Sequence, residues 1–380
     1  MLQRICPVSG SSSWIPVFES ATGRIITGDQ RICDGNLEKV ICPESGVVAN
    51  KNRFSDSDLE ILYGEEYELN VLGKEEHFFY TENGPKARSE VFFDWIDPHL
   101  PENFSSLIEI GCGEGNLLDR ISGKFPERSV SGIDGSFKAV ELAANKGLDV
   151  QRKLILGNED LPVADVYLLV NVIEHIEDLG LFINNLKKSL AVGGRIIFCL
   201  PVQDYGGYDI FFYEHVWHFT SKHFERVLSN NGLKLVYSDI NHPVNHGIGL
   251  FVCEISPAST ENSEGVYSDM IQKNLDFWLA NFKGLNNLIK QKSFERIAIF
   301  GAGEVSTLFL AFSDLFKQNI IACIDDTKPE GMFKHGIPVY PSYWLEQNQP
   351  DLLLLAVNKK YYPMIEEKFK HLNLNIQPIY

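Results

Sequence analysis

The chain of 380 residues carries 34 Lys plus Arg against 51 Asp plus Glu, a formal net charge of −17, with 44% hydrophobic and 22% charged residues. That balance excludes disordered, collagen-like and coiled-coil classes, and a field of this sign repels phosphate backbones, so no nucleic-acid partner is expected. No apolar run reaches the ~20 residues of a membrane span, and the opening MLQRICPVSG lacks the apolar core of a secretory signal. A cytoplasmic protein without a membrane partner is the expectation. The cysteines, at 6, 33, 42, 112, 199, 253 and 323, are odd in number and scattered, which argues against a disulfide framework.

In chain order, residues 1–85 read as short strands and turns, with CPVSG at Cys6–Gly10 echoed by CPESG at Cys42–Gly46. Residues 86–256 alternate strand and helix signals. Strands are expected at Leu107–Ile110, Val130–Asp134, Gln151–Leu156, Val163–Val172, Arg195–Pro201, Lys234–Ile240 and Gly249–Ile255, with helical spacing over Leu179–Leu190. Such alternation predicts βαβ units and a mostly parallel sheet covered on both faces. The short turn at His242–Gly249 leaves no room for a crossover helix, so the last two strands should pair antiparallel. Residues 257–380 read as a polar stretch, a helix from about Val266 to Lys290, and a second α/β domain with strands at Arg296–Phe300, Ile320–Ile324 and Leu352–Val357.

The strongest chemical signal is LIEIGCGEGN. An apolar strand runs into Gly111, Gly113 and Gly115, and a helical pattern follows. Glycines permit a sharp turn and close approach of a ligand, and a helix N-terminus favours negative charge. The next strand ends in Asp134, a carboxylate able to accept both hydroxyls of an adenosine ribose. A nicotinamide fingerprint would need Gly or Ala where Asn116 stands.

Glu109-Ile110-Gly111-Cys112-Gly113-Glu114-Gly115 instead resembles the E-x-G-x-G-x-G motif of Rossmann-like, S-adenosylmethionine-dependent methyltransferases, and the strand pattern with its antiparallel end is similar to theirs. This resemblance implies S-adenosylmethionine (SAM) as the cofactor, held by Glu109, Gly111, Gly113, Gly115 and Asp134. It implies further that the turn bearing Glu159 contacts adenine, and that Asn171 and His175, after the fourth strand, face the methyl donor.

A second cluster follows the fifth strand, where Leu200–Leu228 holds Tyr205, Tyr208, Asp209, Tyr213, Glu214, His215, Trp217, His218 and His223, with Thr220 placed to cap a helix from Ser221. Histidine titrates near neutrality and a carboxylate can orient it, so general acid–base chemistry is the expectation. The histidines lack a familiar zinc spacing. The segment resembles F-x-x-I-Y-H-E-H-x-S-Y-F-S of the three-domain sugar C-methyltransferases, which act on nucleotide-linked 4-keto deoxysugars. Glu214 and His215 fall on that family's Glu-His pair, while Phe212 and His218 replace two of its tyrosines.

The resemblance implies a nucleotide-sugar substrate, His215 as base oriented by Glu214, and His175 with Tyr213 or Tyr80 steadying the oxyanion. Tyr80 lies where the family places donor-covering residues. Family members open with two C-x-x-C-G knuckles on one zinc. Here these read Cys6-x-x-Ser9-Gly10 and Cys42-x-x-Ser45-Gly46, and Cys33 is out of position as a third ligand, so the knuckle turns are expected to persist without metal. The closing domain, with Gly301-Ala302-Gly303 and Asp325, is similar to the family's Rossmann-like C-terminal domain. Three alternatives stay open: O-methylation of a sugar or related small molecule, a catalytically inactive SAM-binding scaffold, and an oxidoreductase using the Gly301 loop.

Overall fold

A computed structural model describes residues 4–66, 76–81, 84–244, 247–256, 265–329 and 331–380. The chain forms two compact units. One comprises residues 1–17, 38–210 and 214–272, and the other residues 18–37, 211–213 and 273–380. This division differs from boundaries at 85 and 256, for a reason in the pairing. Residues Trp217–His218 of the sheet-bearing segment add to Val48–Asn50, which pairs in turn with Glu38–Ile41. Most of the N-terminal segment is thereby sewn into the first unit. Residues 18–37 join the second, where Ile26 bridges Phe212.

The first unit is built on a mixed sheet of seven strands: β1 (Ser106–Ile110), β2 (Ser129–Asp134), β3 (Asp149–Arg152), β4 (Ala164–Val170), β5 (Leu190–Pro201), β6 (Leu233–Asp239) and β7 (Ile248–Ile255). Their order is β3-β2-β1-β4-β5-β7-β6. The first five run parallel, and β7 pairs antiparallel with both β5 and β6. The helices are α1 (Arg88–Ile96), α2 (Asn116–Lys124), α3 (Phe137–Asn145), α4 (Leu179–Ser189) and α5 (Ser221–Asn230).

Strand β4 is central, and six of its seven residues are buried. The unbroken apolar run Val166–Val170 reflects a parallel strand covered on both faces. Burying each such Leu or Val contributes about 1.5–3 kcal/mol.

Caps set the helix starts. Ser136 Oγ accepts the Ala139 N–H at 3.2 Å, Asp178 Oδ1 the Leu181 N–H at 3.0 Å, and Thr220 Oγ1 the His223 N–H at 3.3 Å. Strand β3 ends at Arg152 rather than Leu156. Glu159 turns the chain there: its Oε1 accepts the Leu156 N–H at 2.8 Å and its Oε2 the Gly157 N–H at 2.9 Å.

The second unit carries a six-stranded sheet in the order Phe333–Lys334, Ile337–Tyr340, Ile320–Ile324, Ile297–Phe300, Leu352–Leu355, Ile376–Pro378, parallel except at its first pair. After its first strand, Gly301 has φ +106°, and a Cβ there would lie 2.7 Å from the Ala356 carbonyl oxygen. The Ala302 N–H donates to Asp325 Oδ2 at 3.0 Å. Among the described residues, no helix is long and apolar enough to cross a membrane.

Candidate active site

The glycine loop joins β1 to α2. Gly111, Gly113 and Gly115 all have left-handed φ, at +71°, +54° and +73°, a region that disfavours any Cβ. Space is also short: a Cβ on Gly111 would lie 2.4 Å from Val172 Cγ2, and one on Gly115 would lie 2.5 Å from Leu148 Cδ1. Asp134, ending the adjacent β2, pins the loop. Its Oδ2 accepts the Gly113 N–H at 2.8 Å, and its Oδ1 accepts the Ser136 N–H at 2.8 Å. Burial raises the Asp134 pKa, and the backbone donors oppose that shift. Each oxygen retains a lone pair for a further donor.

Beside the loop lies a buried acidic group. Glu109, on β1, is pushed up to about 8 by burial, with Arg88 opposing and Asp134 adding to the shift. Its Oε2 has no hydrogen-bond partner among the described residues. Arg88, the first residue of α1, donates to Asn171 Oδ1 at 3.0 Å, and Asn171 Nδ2 donates to Glu174 Oε1 at 3.3 Å. Asn171 follows β4 in a left-handed conformation, φ +57°, which asparagine tolerates better than most residues. Burial pushes Glu174 up to about 7, and its Oε2 is also without a partner among the described residues. Two buried carboxyl oxygens lacking donors fit a ligand that brings its own cationic or N–H groups.

The histidine cluster completes the site. His175 Nδ1 lies 2.7 Å from Tyr63 Oη, from the helical segment Glu60–Glu66, and 3.2 Å from the Glu214 carbonyl oxygen. A carbonyl only accepts, which assigns the proton to Nδ1. Burial and the neighbouring His215 hold His175 well below the usual histidine range. The His175 and His215 rings meet edge to face with centroids 4.7 Å apart.

His215 Nδ1 is 3.6 Å from Asp209 Oδ2. Burial opposes the charged ring, yet Asp209, Glu174 and Glu214 outweigh it and raise the His215 pKa. Asp209 Oδ2 is also 3.1 Å from His218 Nδ1, and its Oδ1 accepts from Gln203 Nε2. Burial alone would raise Asp209, but these histidine contacts hold it well below the carboxylate range. His218 Nε2 lies 2.8 Å from the Nζ of Lys39, a lysine with no exposed surface.

The site residues expected from sequence fall in four groups. Glu109, the three loop glycines, Asp134, Asn171, His175, Glu214 and His215 all lie in the first unit, by the carboxyl ends of β1, β2 and β4 and after β5. Open α/β sheets bind ligands beyond those strand ends. The Glu159 carboxylate closes its own loop, as described. Tyr213 belongs to the second unit, where its N–H donates to the Ile26 carbonyl at 2.8 Å. The backbone of Tyr80 lies in strand Phe78–Thr81, and its side chain is outside the described residues.

Tyr63, Arg88, Glu174 and Lys39 were not singled out from sequence. Glu174 adjoins a flagged histidine and Asp209 stood within the flagged cluster, so both were within reach. Lys39 and Tyr63 arrive through long-range packing and carry no local signal.

Two triads, Glu174–His175–His215 and Asp209–His215–His218, have donor atoms within 4.8 Å of one another. Lys39 already places a cation against the second, and the histidine nitrogens are turned to carboxylate, carbonyl and hydroxyl partners. A lysine against the second triad disfavours a further cation there. The knuckles also do not fit zinc. Their turns are intact, with Gly10 N–H to Cys6 O at 2.9 Å and Gly46 N–H to Cys42 O at 2.8 Å. Cys6 Sγ pairs with Ser45 Oγ at 3.3 Å, and Cys42 Sγ with Ser9 Oγ at 3.4 Å. Two thiols and two neutral hydroxyls are a poor zinc donor set. Cys33 lies in a hairpin of the second unit.

A Rossmann-like sheet with a glycine loop pinned by an acid defines a nucleoside-binding class of domain. Residues 85–238, which hold the glycine loop and Asp134, match the family model described as a methyltransferase domain. Among curated relatives, the chain is 31% identical over 97 residues to a malonyl-[acyl-carrier protein] O-methyltransferase of Priestia megaterium, covering 24% of this chain and 35% of that protein. It is 32% identical over 108 residues to a ubiquinone biosynthesis O-methyltransferase of Brucella anthropi, covering 26% and 42%. The chain thus spans under half the length of these relatives. Human N-acetylserotonin methyltransferase in complex with SAM superposes with a TM-score of 0.36 at 16% identity, covering 45% of this chain and 51% of that one.

Proposed function

We propose that the protein is a SAM-dependent methyltransferase that methylates carbon on a nucleotide-linked keto sugar, with His215 as the base. The observation that carries this reading is the edge-to-face pair of half-buried His175 and buried His215 beyond the strand ends that bear the glycine loop. Asp134, Glu109 and the loop backbone would hold the donor. Asp134 has lone pairs for a ribose diol, and Glu109 offers a partnerless oxygen to a cationic group. When bound, SAM supplies an electrophilic methyl group.

The protein's own part is to make and steady a nucleophile. His215, polarised by Asp209 through Nδ1, takes the proton alpha to a ketone on Nε2. The Tyr63 hydroxyl, held against His175 Nδ1, is the group suited to donate to the developing oxyanion, a role expected of His175 with Tyr213 or Tyr80. Phe212, which removes a tyrosine of the resembling family, favours a second reading in which the same base serves a sugar hydroxyl.

The test is incubation with SAM carrying a ¹³C-methyl group and a panel of nucleotide-linked 4-keto deoxysugars. The proposal expects a ¹³C signal in the C-methyl range. A signal in the O-methyl range would overturn carbon transfer. Donor binding without transfer to any keto sugar would overturn the sugar assignment.

A further inference from the structure

Lys39 is fully buried in strand Glu38–Ile41, far in sequence from the histidine cluster that it touches. Its Nζ lies 2.8 Å from His218 Nε2 and 3.2 Å from the His215 carbonyl oxygen. With Lys39 in its ammonium form, which only donates, His218 Nε2 accepts. The His218 proton then sits on Nδ1, 3.1 Å from Asp209 Oδ2. The same carboxylate oxygen lies 3.6 Å from His215 Nδ1, within ion-pair reach but longer than a hydrogen bond. The run Lys39–His218–Asp209 has one consistent polarity, and a His215 Nδ1 proton turned to the Asp209 carboxylate would leave Nε2 as the basic atom.

We propose that Lys39 and His218 are positioning residues that set the tautomer and the proton affinity of His215 through Asp209. This deepens the acid–base reading of the site and rests on His215 being its base.

The electrostatics point the same way. Asp209 and Glu214 raise the proton affinity of both Lys39 and His215, so the two bases compete for the same negative charge. Burial brings Lys39 down to about 7, and burial with Lys39 brings His218 down to about 3. Around His215 stand Asp209, Glu174, Glu214, His175, His218 and Lys39, and Arg4 also acts on Lys39. Asp209, Glu174 and Glu214 all favour the charged form of the His215 ring. Lys39 offsets their charge.

The experiment is ¹⁵N NMR of the full chain labelled at histidine, titrated in the wild type, Lys39→Met and Lys39→Arg, with His215 assigned by loss of its signals in His215→Gln. Lys39→Met should raise the His215 proton affinity by about tenfold, one pH unit, by removing a buried charge. Lys39→Arg should stay near the wild type. An unchanged His215 midpoint in Lys39→Met overturns the proposal. If Lys39→Met does not fold, the wild-type spectrum decides: neutral His218 must show the Nδ1–H tautomer, and the Nε2–H tautomer overturns it. These readings require no turnover, so they separate failure of the relay from failure of the methyl-transfer assignment. Where turnover is measured, the acid limb of kcat/KM should move upward by the same interval in Lys39→Met.

Discussion

Gly111→Ala tests whether the glycine loop is held by both conformation and space. Its φ of +71° is unfavourable to any Cβ, at about 1–2 kcal/mol. The added methyl would also lie 2.4 Å from Val172 Cγ2, and overpacking of this kind costs about 1–3 kcal/mol. Together the destabilisation is about 2–5 kcal/mol. Val172→Ala alone should cost about 1–2 kcal/mol for its lost methyls. In the double variant the clash disappears and the conformational part remains. Urea unfolding of the four proteins therefore should show a favourable coupling of about 1–3 kcal/mol between the two sites. The same series read by calorimetry with S-adenosylhomocysteine should show weakened binding in Gly111→Ala and partial recovery in the double variant. Additive unfolding free energies would refute the steric argument.

Three further predictions concern the acid–base groups. His215→Ala should lower turnover by about 10²-fold or more with S-adenosylhomocysteine affinity intact; unchanged turnover would remove its role. Tyr63→Phe should lower kcat by about tenfold through loss of one oxyanion donor, with KM little changed, and a pure KM effect would contradict that assignment. For Glu109, folding raises the carboxyl from 4.5 to about 8. The folded state then binds the proton more tightly, so this contribution is full below pH 4.5 and is lost as pH rises through 8. Glu109→Gln should remove that loss, seen as a smaller fall in urea midpoint between pH 5 and pH 8.5 than in the wild type.

The sheet was legible because its signals are local. Apolar runs such as Ala164–Val170 and the turn after Asp239 specify a buried parallel strand and an antiparallel end without knowledge of distant residues. Loop and acid were legible for the same reason, since Gly111, Gly113, Gly115 and Asp134 lie on consecutive βα elements. What sequence did not disclose depends on pairing between remote segments. Lys39 reads as an ordinary strand lysine until Val48–Asn50 brings Trp217–His218 alongside its hairpin. Asp209 reads as one of several polar residues until the turn at Asp209–Phe211 folds its carboxylate between His215 and His218. Tyr213 sits next to Glu214 in sequence, while its backbone pairs with Ile26 in the second unit.

The central claim is that the Asp134-pinned loop holds the SAM nucleoside. Titration calorimetry of S-adenosylhomocysteine into the wild type and Asp134→Ala tests it most directly. Wild-type binding should fall in the micromolar range, with a loss of at least about tenfold in the variant as the charge-assisted ribose contacts and the loop anchor disappear. Absence of binding at millimolar ligand, or equal affinity in the two proteins, would contradict it.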